Sequence, residues 1–65
     1  MKLFVGFLGK ALTGNIVEEH KLEFVVAEDV DKAKEKLLNK WSEEHVHVDG
    51  LKDISEVDDY KIILK

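Results

Sequence analysis

A chain of 65 residues is long enough for one small domain, because a second hydrophobic core needs far more sequence. Fourteen acidic residues against ten lysines, with no arginine, give a net charge of −4. That balance argues against general binding to nucleic acid or to an anionic membrane. The absence of cysteine excludes a disulfide scaffold, a thiolate metal site and a cysteine nucleophile.

The first twelve residues, MKLFVGFLGKAL, have the lysine and apolar run of a signal peptide, but they lack its cleavage site. Gly6, Gly9 and Lys10 interrupt the run, which is typical of a buried strand. No apolar stretch approaches the roughly 20 residues of a membrane span. We therefore expect a cytoplasmic protein.

The first half of the chain predicts two strands. In the segment 2–8, apolar residues stand at both odd and even positions, so both faces of this strand should be covered. The segment 9–19 has no sustained period and is predicted to be a loop. Leu22, Phe24 and Val26 then alternate with more polar neighbours, which predicts a strand with these three residues buried.

A helix follows, with Asp29 as its N-cap, and the spacing of its apolar residues extends it to about Glu44. Its apolar stripe ends at Trp41, which we expect to pack against Phe24 and Val26. Beyond the helix, Val46 and Val48 alternate with polar residues, and a parity break predicts a bulge or a turn near residues 49–50.

The last strand is predicted from the alternation of Tyr60, Ile62 and Leu64, reached through a tight turn at Asp58 and Asp59. The order ββαββ predicts a single α+β domain over residues 1–65. We expect two layers, a mainly antiparallel four-stranded sheet and one amphipathic helix.

One helix covers one face of such a sheet, so the other face needs a cover from elsewhere. A 65-residue monomer also buries only about 60% of its unfolded surface. Self-association through sheet edges or sheet faces would cover the second face and bury additional surface. The sequence therefore predicts a homodimer through the sheet, with a protein partner as a further possibility and no nucleic acid or membrane partner.

Along the chain stand the segments MKLFVGFLG and NIVEEHKLEFVV, a tryptophan at the end of the helix, and the segments VHVDG and VDDYKIIL. Together and in this order, they resemble the family catalogued as domain of unknown function 1543. The positions that fall on the family's motifs are Glu18, His20, Phe24, His47, Asp49 and Tyr60. Lys21 stands where the pattern has aspartate, and Asp59 stands where it has glycine. The resemblance implies one or two copies of the domain per chain, which favours a dimer, and it implies no particular activity.

His45, His47 and Asp49 stand two residues apart, so on one strand they would share a face. Two histidines and a carboxylate at this spacing can hold a metal ion, but Gly50 stands where metal-dependent hydrolases with a similar motif have a further histidine. We expect a solvated polar face and no saturable zinc binding. Glu18 and His20 form a second pair that converges with His47 and Asp49 if their strands are neighbours, although His20 alone could simply close the loop.

Other patterns favour ordinary structural roles. The glycines match no phosphate-binding loop, and the helix lysines alternate with acidic residues as on a solvated surface. Two hypotheses remain. The first is a non-enzymatic, self-associating interaction or assembly module without a cofactor. The second is a small-ligand or metal-binding domain, conceivably catalytic, that uses Glu18, His20, His47 and Asp49.

Overall fold

The computed structural model describes residues 1–11, 18–42 and 45–65. Five strands and one helix follow one another in these residues: β1 (Lys2–Ala11), β2 (Glu18–Ala27), α1 (Val30–Lys40), β3 (Val46–Asp53), β4 (Glu56–Val57) and β5 (Tyr60–Lys61). The predicted α+β class is confirmed, with one helix and antiparallel strands. The predicted loop over 9–19 is wrong at both ends, because β1 extends to Ala11 and β2 begins at Glu18; residues 12–17 lie outside the described residues.

The predicted four-stranded sheet is wrong. Three strands form one antiparallel sheet in the order β2-β1-β3, and β4 pairs only with β5 in a separate two-stranded sheet. The described chain has a fifth strand because Asp58 and Asp59, with φ of 51° and 69°, close a hairpin between β4 and β5. This turn is the tight one that the sequence predicted, but its hairpin does not join the larger sheet.

The core lies between α1 and one face of the three-stranded sheet. It contains Phe4, Leu8, Val25, Ala27, Ala33, Leu37 and Trp41. Asp29 is the N-cap of α1, since its Oδ1 accepts a hydrogen bond from the Lys32 amide at 2.9 Å. The helix ends at Lys40, earlier than predicted, with Trp41 as its C-cap.

The prediction that Trp41 is buried is confirmed, but its predicted partners are wrong. Val25 and Ala27 face the helix, whereas Phe24 and Val26 lie on the opposite face of β2. The face is fixed by register: Val25 pairs with Phe4, which the helix covers, and Phe24 pairs with Val5. Because adjacent residues of a strand point to opposite faces, the larger side chains of β2 are left uncovered.

The bulge predicted near residues 49–50 is confirmed. Phe7 pairs with Gly50 and Leu8 pairs with Val48, so Asp49 is the extra residue of β3. The bulge lets Val48 and Leu51 both contact the core although they lie three residues apart. Within the described residues, no helix combines the length and the apolar character needed to cross a membrane.

Candidate functional site

The face of the three-stranded sheet opposite the helix is apolar and uncovered. Three cross-strand pairs of β1 and β2 lie side by side on it: Leu3 with Val26, Val5 with Phe24, and Phe7 with Leu22. We call these six residues the open face. Leu22 and Phe24 are 66% and 54% exposed, against 2% for Phe4 on the helix side. Contiguous exposed apolar surface of this kind marks an interaction site more often than scattered apolar residues do.

The next cross-strand pair on the same face is polar and centres on Gly9, which pairs with His20 on one side and with His47 on the other. β1 is the central strand, so it brings the histidines of two strands to one point. His47 Nε2 lies 2.8 Å from Asp49 Oδ1, and His20 Nε2 lies 3.7 Å from Asp49 Oδ2. We call His20, His47 and Asp49 the polar cluster.

Gly9 leaves the space that this cluster occupies. A Cβ atom at this position would lie 2.5 Å from Asp49 Oδ2 and 2.9 Å from His47 Nε2. Both distances are too short for van der Waals contact, so a side chain here would displace the pair. On the other side of His20, the Phe7 ring meets the imidazole edge to face, with the centroids 4.9 Å apart. The polar cluster therefore continues directly from the open face.

The structure brings together some of the site residues predicted from the sequence and not others. The proposed convergence of His20, His47 and Asp49 is present in the structure. The backbone of Glu18 pairs with Ala11 at the start of β2, but its side chain lies outside the described residues. The predicted common face of His45, His47 and Asp49 is wrong for His45, which precedes β3 in a turn with φ of 64°.

A metal centre finds little support in this geometry. Among the described side chains, which do not include that of Glu18, no group of three histidine, cysteine, aspartate or glutamate residues is arranged to hold a metal ion. Asp49 Oδ1 is within hydrogen-bond distance of the His47 ring, so that oxygen is already engaged. All three side chains are substantially exposed, and exposed ion pairs of this kind stabilise a fold by only about 0–1 kcal/mol.

Sequence reasoning missed two contributors to this face and two lysines at the neighbouring edge of β2. Gly9 leaves the space for the polar cluster, and the Phe7 ring meets His20 edge to face. The lysines belong to α1, where the ammonium groups of Lys36 and Lys40 donate hydrogen bonds to the carbonyls of Val26 and Phe24. Knowledge of the β1–β2 register would have revealed the first two, because it puts Gly9 opposite His20.

Comparison with known proteins gives one match. The family described as Domain of Unknown Function (DUF1543) matches residues 15–64. No curated protein and no solved structure matches the chain. Since residues 15–64 are most of the chain and include β2, α1, β3 and the terminal hairpin, the protein belongs to the DUF1543 family.

Proposed function

We propose that the protein is a non-enzymatic interaction domain that associates with a second copy of itself through the open face. The observation that carries the proposal is the uncovered apolar surface on β1 and β2, where Leu22 and Phe24 are more than half exposed. Burying apolar surface is favourable by about 25 cal/mol per Å². A sheet face of this composition therefore gains from a partner with a similar face.

The exposed area supports a second copy as the partner. The chain exposes 5063 Å², whereas a compact monomer of 7.5 kDa exposes about 4,250 Å². The excess, roughly 800 Å², is close to the area that each partner buries in an interface of standard size. One copy of the chain thus exposes more surface than a compact monomer of its mass, which supports burial of part of that surface against a partner.

The protected sheet edges favour association through the open face over pairing of edges. On the β2 edge, Lys36 Nζ donates to the Val26 carbonyl at 2.6 Å, and Lys40 Nζ occupies the Phe24 carbonyl. On the β3 edge, the bulge at Asp49 interrupts the regular backbone. Lysines and bulges are two devices by which proteins block the addition of a further strand. The open face has no such protection.

Analytical ultracentrifugation at micromolar concentration tests the proposal. We expect the natural chain to sediment at about twice its mass of 7.5 kDa, and we expect Phe24→Ser to sediment as a folded monomer. Leu38→Ser is the matched control, because Leu38 is an exposed apolar residue on the helix, away from the open face. A natural chain that is monomeric up to about 100 µM, well above the micromolar dissociation constants at the weak end for interfaces of this size, would refute the proposal.

A second candidate function, binding of a small ligand, is favoured by the convergence of the polar cluster over Gly9. Zinc is the sharpest probe, because a bound metal raises the melting temperature as its concentration rises. We expect no saturable shift at micromolar zinc, since Asp49 Oδ1 already lies against His47 and the described residues contain no three-ligand group. A saturable shift that His47→Ala abolishes would favour this second function.

A further inference from the structure

Residues 54–65, which we call the arm, leave the three-stranded sheet at its Leu3 end. The arm is attached there by a hydrogen bond of 2.8 Å from the Ile54 amide to the Leu3 carbonyl. Beyond this point, β4 and β5 contact each other and no other described helix or strand. The chain measures 44 Å in its longest dimension, so the arm and the sheet together are elongated.

The arm is a formed hairpin without a covering layer. The Ile62 amide donates to the Ser55 carbonyl at 2.9 Å, and Val57 pairs with Tyr60. Several of its apolar side chains are nevertheless exposed: Tyr60 is 76% and Ile63 is 72% exposed. An isolated two-stranded hairpin is marginally stable in water. The arm therefore has both the surface and the need for a docking partner.

The open face offers a matching depression of about 160 Å³. It is lined by Val5, Phe7, Leu22, Gly50 and Lys52, among others. Gly50 has no side chain to fill the space over Phe7, which leaves room for a flat ring, and Lys52 places a cation at its border. The turn of the arm is complementary in charge, because Glu56, Asp58 and Asp59 lie at or before it and Tyr60 follows directly, ahead of Lys61.

We propose that the arm of each copy docks on the open face of the other copy, with Tyr60 in the depression beside Lys52. The proposal rests on the self-association proposed above and names the segment that covers the open face in the dimer. Exchange between copies covers the exposed apolar residues of the hairpin, whose strands β4 and β5 contact no other described helix or strand of their own chain. The tyrosine ring would bury its apolar body over Phe7 and Gly50, and its hydroxyl would remain near solvent.

Substitution of Tyr60 separates its ring from its hydroxyl. In sedimentation equilibrium we expect Tyr60→Ser to weaken dimerisation by at least about tenfold, as loss of a central aromatic anchor does, and Tyr60→Phe to change it by less than about threefold. Because the hairpin lies outside the core, both variants should keep the circular dichroism spectrum of the natural chain. Equal dimerisation by the natural chain and Tyr60→Ser would overturn the proposal.

Cross-linking tests the contact itself, with a clean background because the chain has no cysteine. Two full-length variants are mixed and oxidised: Val57→Cys, which keeps Tyr60 and pairs with it in the hairpin, and an affinity-tagged Leu22→Cys. We expect a disulfide between the two variants to dominate, and none when Leu38→Cys on the helix replaces Leu22→Cys. Sedimentation as a dimer with only Leu22–Leu22 links, or with no link, would overturn arm docking and leave self-association standing. Sedimentation of the natural chain as a monomer would instead remove both proposals.

Discussion

Gly6 and Gly9 of β1 each leave space for neighbouring side chains. Gly6 makes room for core packing on the helix face of the sheet, and Gly9 makes room for the polar cluster on the other face. A Cβ on Gly6 would lie 2.4 Å from Cδ1 and 3.0 Å from Cδ2 of Leu37, which is fully buried. A Cβ on Gly9 would meet the ends of the exposed Asp49 and His47 side chains. The Leu37 side chain is confined by the core around it, whereas the Asp49 and His47 side chains border solvent.

We therefore expect Gly6→Ala to lower the free energy of unfolding by about 1–3 kcal/mol through overpacking. Gly9→Ala is the matched control, and its cost should stay within about 1 kcal/mol because it disturbs an exposed ion pair. Urea denaturation followed by tryptophan fluorescence measures both values. Equal losses in the two variants would show that Leu37 is not confined as the structure indicates.

Asp59 adopts φ of 69°, at the position where the resemblance described above implies glycine. A residue with a side chain loses about 1–2 kcal/mol in this left-handed conformation, though aspartate tolerates it better than most. Glycine relieves that strain but loses about 0.4–1 kcal/mol through its more flexible unfolded state. Asp59→Gly should therefore stabilise the hairpin by about 0.5 kcal/mol.

Amide hydrogen exchange at Ile62 measures this effect locally, since its N–H is bonded within the arm to the Ser55 carbonyl. Protection should rise about twofold in Asp59→Gly, as 0.5 kcal/mol implies. Glu56→Gly is the control, because Glu56 lies in β4 and is not among the positive-φ residues of the described chain. Faster exchange in Asp59→Gly than in the natural chain would contradict the turn geometry.

At the level of elements, α1 packs on the sheet through Ala33 and Leu37, and Trp41 extends this contact at the C-cap of the helix. Trp41 is 9% exposed and closes the core, and Lys21 Nζ lies 5.6 Å from the centre of its ring. Removing a buried tryptophan costs about 3–5 kcal/mol, which equals the stability expected of a domain this small. We expect Trp41→Ala to be largely unfolded by circular dichroism at 25 °C.

Leu38→Ala serves as the helix control, because Leu38 lies on the same helix and is exposed. It should retain the natural melting temperature within a few degrees, as surface substitutions usually change stability by less than about 0.5 kcal/mol. A cooperative unfolding transition in Trp41→Ala at the natural temperature would mean that the helix is held by other contacts.

Apolar periodicity within a single strand predicts some features of the sheet and leaves others undetermined. The bulge at Asp49 was predictable, because apolar parity changes along β3 itself. The buried face of β2 was not, because that strand has apolar residues at both parities. Its orientation depends on which residues of β1 lie opposite, and a single sequence does not reveal that register. The small Ala27 faces the helix while the larger Phe24 does not.

The residues of the candidate site were likewise predictable only where they lie on one strand. His47 and Asp49 were predictable as a pair because they are two residues apart on one strand. Their convergence with His20 required β1 to lie between β2 and β3, which the sequence offered only as a condition. His45 was misplaced because strand periodicity was extended one residue too far, into a turn with positive φ.

For the whole molecule, the helix covers one face of a sheet whose other face is equally apolar in composition. The radius of gyration is 13.4 Å, against about 11 Å for a compact domain of 65 residues. The elongated shape and the excess exposed surface support the proposed self-association. The proposed dimer is supported by three features: the open face, the two protected sheet edges and the projecting arm.

The central claim, that two copies associate through the open face, is tested most directly by isotope-filtered nuclear Overhauser spectroscopy. Uniformly ¹³C-labelled chain is mixed with an equal amount of unlabelled chain, so that only contacts between copies are detected. We predict cross-peaks between copies at Leu22, Phe24 and Phe7, and none at Leu38 on the helix. A dimer whose intermolecular contacts fall on the helix or the β2 edge, or the absence of any such contact at millimolar concentration, would contradict the claim.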